Sequence, residues 1–151
     1  MLSRIEYSVI VPVSSGKAFR AFCNLDRLLG RGIYEEATWI EGVPWKAGSR
    51  IRYLLTSPVR ATIATVVTAL DPPSSVELLN HALGITAEQH VTFTPASEGG
   101  TQVRMTMEYI GKSSELARRE VERTIGFLTR DALDTMAALC TDDDHRRFGT
   151  G

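Results

Sequence analysis

The 151-residue sequence contains no run of about 18 apolar residues, so no segment has the length and polarity of a membrane-spanning helix. Neither sign of charge dominates: 17 Lys and Arg stand against 18 Asp and Glu, for a formal net charge of -1. A nucleic-acid partner calls for a basic stripe, and none is present. The opening segment "MLSRIEYSVIVPV" lacks the cleavage pattern of a secretory leader. It alternates apolar with polar residues instead, as a strand does. Cys23 and Cys140 are too far apart for a metal or redox spacing. They read as buried thiols of a cytoplasmic protein. Zinc spacings, phosphate-cradling glycine loops and the nucleophile elbow are all missing. Neither a metal nor a cofactor is therefore expected.

What is present is a globular composition, 43% hydrophobic and 23% charged, at a length that fits one domain. Arg4 to Val11 alternate as a first strand, ended by Pro12. In "SSGKAFRAFCN", Phe19, Phe22 and Cys23 recur at helical spacing behind a capping Ser14 or Ser15. "DRLLGRG" predicts a second short helix stopped by Gly30 or Gly32. Six strand-like segments follow: "EATWIEG", "SRIRYLL", "RATIATVVTAL", "SVELLNH", "AEQHVTFTP" and "TQVRMTMEY". The breaks between them are short and mostly carry Gly or Pro, as hairpin connections do. From Ser114 to Cys140 the period becomes helical. Val121, Ile125, Leu128, Ala132, Met136 and Leu139 form one apolar stripe. Ser113 or Ser114 can cap this helix, with Glu115 near its positive end. Residues 142–151 predict a polar, flexible tail to a single domain of residues 1–141. Neither the meander nor the helix can bury its apolar face alone, so the sheet must curl around the helix.

The expected class is thus α+β: a curved antiparallel sheet of about seven strands around a long C-terminal helix, with two short helices after strand 1. This order resembles the helix-grip fold of the START-like superfamily, which includes Bet v 1-like proteins and polyketide cyclases. Local segments agree. "VPVSSGKAFRAFCNLDRL" is similar to that family's strand-to-helix opening, and "VPWKAGSRIRYLL" to its W-x-x-G approach to the third strand. "LDPPSSVEL" resembles its mid-chain turn, and "FTPASEGGTQVRMTMEY" its last hairpin. The resemblance spans nearly the whole chain. It implies a cavity between sheet and helix that takes a hydrophobic molecule. Family members include carriers, cyclases, hydrolases and chaperone activators, so fold membership does not choose a chemistry.

The most reactive-looking stretch is "TAEQHVTFTP", where Glu88 and His90 lie two apart in strand register with Thr92. Val91 and Phe93 share the other face, as do Val103, Met105, Met107 and Tyr109 in the next strand. One solution puts both apolar sets inward and leaves Glu88 and His90 on the solvated face, opposite Arg104 or Thr106. A bulge that flipped the register would instead make them an acid–base pair. His81 lies by a hairpin, and His145 follows Asp142, Asp143 and Asp144 in the tail, a poor metal site. Glu35, Glu36 and Glu41 read as exposed charges.

The inward set is more informative. Trp39, Tyr53, Ile63, Val67, Val91, Phe93, Met105, Met107 and Tyr109 are the ligand-binding candidates of the sheet, with Ile125 and Leu128 of the helix. Ala61, Ile63, Thr65, Val67 and Ala69 share one face of their strand, and its small side chains leave space. Arg118 and Glu122, beside the stripe, form either a surface i,i+4 pair or the polar mouth of the cavity. Trp45 covers a sheet end or serves that mouth. Phe127, away from the stripe, packs under a loop or marks a homodimer contact. The leading expectation is non-catalytic binding of a small hydrophobic ligand, lipid- or polyketide-like. The alternatives are a polyketide cyclase or dehydratase using Tyr53, Tyr109 or Gln89, and a chaperone-activator-like interaction module working through the outer sheet.

Overall fold

In the computed structural model the described backbone covers residues 2–110 and 115–149, and the described side chains cover residues 3–29, 32–110 and 118–141. Ser113 and Ser114, expected to cap the long helix, lie outside this range, as do the side chains of Glu115, Asp142, Asp143, Asp144 and His145. Strand β1 (Leu2–Val11) leads into helix α1 (Ser15–Phe22) and a 3-10 helix (Leu25–Arg31). Six strands follow: β2 (Tyr34–Glu41), β3 (Arg50–Leu55), β4 (Ala61–Asp71), β5 (Ser75–Ala82), β6 (Ile85–Pro95) and β7 (Thr101–Ile110). Helix α2 (Glu115–Gly149) ends the chain. Its backbone runs on through residues 142–149, where the polar composition predicts a tail.

The strands form one antiparallel sheet in the order β1-β7-β6-β5-β4-β3-β2. Consecutive strands are neighbours except at β1, which returns to pair with β7 along its whole length. Bulges in β2 and β4 break the ladder between Tyr34 and Glu36, Trp39 and Glu41, and Val67 and Ala69. Each bends its strand and increases the local twist, so the sheet curves. The β4 bulge corrects one expectation. Ala69 pairs with the outward Glu77, and Leu70 pairs with the buried Val76, so the inward register passes from Val67 to Leu70 and skips Ala69.

Ser14 caps α1, its side chain accepting from the Lys17 N–H at 3.3 Å. The 3-10 helix ends at Gly32, whose φ of 80° is left-handed and suits a residue without Cβ. Thr101 ties β7 to the end of β1: its Oγ1 donates to the Val13 carbonyl at 2.8 Å. Gly100, just before, leaves no room for a side chain, because a Cβ there would lie 2.8 Å from the Val11 carbonyl oxygen.

Helix α2 packs against β1, β7, α1 and the 3-10 helix. Where α1 also reaches the sheet, the interior is solid. Val67, Val76, Val91 and Val103 are fully buried there, against Leu133 and Met136 of α2. Helix α2 makes no comparable approach to the inner face of β3, β4 and β5. The sheet is wider than one helix can cover, and what lies under that uncovered half decides the function.

Candidate ligand cavity

A cavity of about 420 Å³ occupies the uncovered half, between the inner face of β3–β7 and α2. This falls in the usual range of small-molecule sites, roughly 300–1,000 Å³. Its sheet wall is built from alternate residues of each strand, the side-chain period of two bringing Tyr53, Ile63, Asn80, Gln89 and Met107 to one face. Its helix wall is the apolar stripe itself: Val121, Ile125, Leu128, Ala132, Met136 and Leu139 all line it. The 3-10 helix adds Leu25 and Leu28.

The inner end is closed by aromatic rings. Phe19 and Phe22 of α1 contact Phe93 of β6, with centroids 5.3 and 5.9 Å apart. Trp45, from the β2–β3 loop, stands edge-on to Trp39 at 5.1 Å and donates its Nε1–H to the Cys23 carbonyl at 2.8 Å. Burial pushes the Cys23 thiol up to about 12, so it stays protonated and unreactive. The outer end is the mouth. Val59 and Leu83 line the cavity there and are also exposed to solvent, beside Glu120 of α2.

Backbone strain gathers at this cavity. Among the described non-glycine residues, Trp45, Leu83 and Glu98 have positive φ, and the first two line the cavity. Leu83 (φ 54°) and Gly84 (φ 74°) make the two-residue β5–β6 turn, which favours Asn-Gly or Gly-Gly. A leucine there is unfavourable.

Polar groups are few. The rings of Tyr34 and Tyr53 sit 5.6 Å apart in the wall. Burial raises both phenols above their usual range, and the Asp131 carboxylate raises Tyr34 further. Both therefore remain neutral hydrogen-bonding groups. Across the sheet wall runs a chain of side chains, Thr65 directly opposite Asn80 and the next two steps between diagonal neighbours. Thr65 Oγ1 donates to Asn80 Oδ1 at 2.7 Å, Asn80 Nδ2 to Gln89 Oε1 at 3.0 Å, and Gln89 Nε2 to the Met105 sulfur at 3.4 Å. On the helix wall, Thr135 is buried and its Oγ1 has no hydrogen-bond partner.

Six of the thirteen sequence candidates line this cavity: Tyr53, Ile63, Met105, Met107, Ile125 and Leu128. The other seven sit elsewhere. Val67, Val91 and Phe93 belong to the solid half, where α1 fills the space. Trp39 backs Trp45. Tyr109 is buried in β7 outside the cavity, and that burial raises its phenol; Glu122, near enough to raise it further, lies about 100° round the helix from Val121. Arg118 is a half-turn short of Glu120, where the lining begins. Phe127 is exposed. The residues that sequence reasoning missed are Tyr34, Asn80 and Thr135. Asn80 carries the inward register of its strand, but a polar residue at an inward position reads as a strand end, and Tyr34 is out of step with Ala37 and Trp39, turning inward only through the β2 bulge.

Glu88 and His90 are on the outer face. His90 Nδ1 faces Glu77 Oε1 across the β5–β6 ladder at 3.5 Å, with both side chains about half exposed. Thr106 is the opposite neighbour of His90, whereas Arg104 pairs with Thr92 and Glu88 meets Glu108. His81 Nδ1 bonds the exposed Thr86 hydroxyl at 2.9 Å beside the hairpin. Glu36 and Glu41 pair with Arg52 and Arg50 on the solvent side. Among the described residues, no group of three or more His, Cys, Asp and Glu could hold a metal, and no helix is long and apolar enough to cross a membrane.

No protein-family model matches the chain, and no curated protein matches it either. Solved structures do. The ZhuI aromatase/cyclase from Streptomyces sp. R1128 is similar over 100% of this chain and 99% of its own, with 13% identity and a TM-score of 0.82. Ara h 8.0201 is similar over 94% and 99%, with 12% identity and a TM-score of 0.75. Norcoclaurine synthase from Thalictrum flavum, in complex with dopamine and hydroxybenzaldehyde, is similar over 94% and 88%, with 13% identity and a TM-score of 0.73. At such identities the likeness is one of architecture, and it agrees with the strand order, the curved sheet and the long helix: the chain has the helix-grip fold.

Proposed function

We propose that the protein binds a small, largely apolar molecule in the cavity between sheet and α2, without transforming it. The observation that carries this reading is the cavity itself. Apolar side chains from the sheet and the helix stripe enclose it, and a few polar groups are set among them, the usual make-up of a ligand site. Three features add support. Strained residues at Trp45 and Leu83 stand at its closed end and its mouth, where strain often accompanies function. Met105, Met107 and Met136 give it adaptable walls. Tyr34 and Tyr53, kept neutral, suit holding a ligand better than removing its proton. Norcoclaurine synthase, with the same fold, is seen with dopamine and hydroxybenzaldehyde, which makes aromatic molecules of a few rings a reasonable size class.

The test is displacement of a hydrophobic fluorescent probe, wild type against Met107→Trp. Met107 lines the cavity and is only partly buried, so a larger ring there fills open space. Met105 is 1% exposed, and the same change there would strain the packed core. Wild type is expected to bind the probe, and Met107→Trp to lose most binding while keeping its unfolding midpoint. Equal binding by the two proteins refutes the cavity as the site.

A further inference from the structure

Resting on the binding reading above, we propose that the Thr65–Asn80–Gln89–Met105 chain selects ligands by an exposed carbonyl-type oxygen, favouring ketones over hydrocarbons of the same shape. The polarity of the chain is set at one end. A thioether sulfur accepts hydrogen bonds and never donates, so the Gln89 group facing Met105 at 3.4 Å must be the NH₂. Gln89 Oε1 then accepts from Asn80 Nδ2, and Asn80 Oδ1 accepts from the Thr65 hydroxyl. Reversing either amide would set an oxygen against sulfur or two like groups against each other. Met105, a poor acceptor, thereby fixes the orientation of two amides across β5 and β6.

The consequence is a surplus of donors. Each amide nitrogen carries two N–H groups and spends one within the chain. Among the described residues, the second N–H of Asn80 and of Gln89 has no protein partner, and both side chains line the cavity. Thr65, 1% exposed, lies behind them and braces Asn80. The opposite wall repeats the demand. Thr129 and Thr141 of α2 donate to the carbonyl four residues back, at 2.7 and 3.1 Å, as helical threonines commonly do. Thr135, 4% exposed and lining the cavity, makes no such bond. Its hydroxyl is an unpaired polar group more than nine-tenths buried, which costs stability until something bonds it. A hydrocarbon leaves both walls unsatisfied. A ketone satisfies the sheet wall, and a ketone that also bears a hydroxyl satisfies the helix wall as well.

The experiment compares fluorene with 9-fluorenone, which share a ring frame and differ by one carbonyl oxygen. Affinities are measured by calorimetry on wild type, Gln89→Met and the double variant Asn80→Leu/Gln89→Met, with infrared spectra of the bound ketone. Wild type should bind 9-fluorenone roughly three- to tenfold tighter than fluorene, the net worth of one hydrogen bond. Its carbonyl stretch should shift to lower frequency than in a hydrocarbon solvent. The preference should shrink in Gln89→Met and vanish, with the shift, in the double variant, while fluorene binding persists and shows the cavity intact. Equal affinity of wild type for both compounds, with an unshifted stretch, overturns the selectivity and leaves the binding reading standing. A preference that survives the double variant overturns the role of Asn80 and Gln89. Failure of wild type to bind either compound overturns both this proposal and the reading beneath it. Should the double variant not fold, the wild-type affinity ratio and the infrared shift decide the matter.

Discussion

Truncating two leucines of α2 separates a solid interior from a half-hollow one. Leu133 is 0% exposed and packs in the filled half with Val91, Val103 and Met136. Leu128, a little over one turn earlier, faces the cavity and is only partly buried. Leu133→Ala removes a close-packed side chain and leaves a new void, so it should cost about 2–5 kcal/mol. Leu128→Ala removes atoms that already border empty space. No new void is created, and the loss is mainly transfer free energy. About three carbon groups at about 0.8 kcal/mol each, roughly halved for partial burial, give about 1 kcal/mol. Urea unfolding of both variants, after extraction of any bound small molecule, measures the contrast at constant slope. Extraction matters because a bound ligand stabilises the folded state and is lost with the site. Equal costs for the two leucines would mean that the interior is filled throughout, and the cavity argument would fail.

Other outcomes follow from the same structure. Replacing Glu88 and His90 together by Ala should leave probe binding unchanged, and circular dichroism melts should show less than about 1 kcal/mol lost, since an exposed pair such as His90 with Glu77 contributes little. Alkali should destabilise the fold. Cys23, Tyr34 and Tyr53 have folded-state pKa values raised above their unfolded ones, so above about pH 9 the unfolded chain begins to release protons that the folded chain keeps. Stability should fall as pH rises from there through the raised values, and denaturant midpoints that stay flat from pH 8 to 11 would contradict the burial of these groups. Gly100→Ala should lower the unfolding midpoint clearly, because its Cβ meets backbone at 2.8 Å and a carbonyl cannot swing aside as a side chain can. An unchanged midpoint would show that the β7 start is looser than described.

Most of the fold could be read from periodicity. The period of two in "AEQHVTFTP" and "TQVRMTMEY" places Val91, Phe93, Val103 and Met105 inside, and they are inside. The helix stripe from Val121 to Leu139 lines the cavity in full. What periodicity does not carry is depth along the curved sheet. Val91 and Gln89 share a face and differ only in whether α1 lies above them, which is a contact distant in sequence. For the same reason Val67 and Phe93 have the pattern of lining residues and are packed core instead. Bulges are equally silent. Nothing in "ATIATVVTAL" announces that Ala69 turns outward and Leu70 inward. Polar lining was the least legible part. Asn80 and Thr135 are recognisable only once two walls face each other and leave a hydroxyl and two N–H groups without protein partners.

The central claim is that an apolar molecule enters between sheet and helix rather than docking outside. Its most direct test is methyl NMR of protein labelled at isoleucine δ1 carbons, titrated with 1-anilinonaphthalene-8-sulfonate. Ile63, Ile85 and Ile125 line the cavity from three different elements. Ile10, Ile40 and Ile110 are exposed hydrophobics on the outside, at 71%, 50% and 67%. The account predicts saturable shifts at Ile63, Ile85 and Ile125 with the outer three unmoved. Shifts confined to Ile10, Ile40 and Ile110 would contradict it and place the binding surface on the outer sheet.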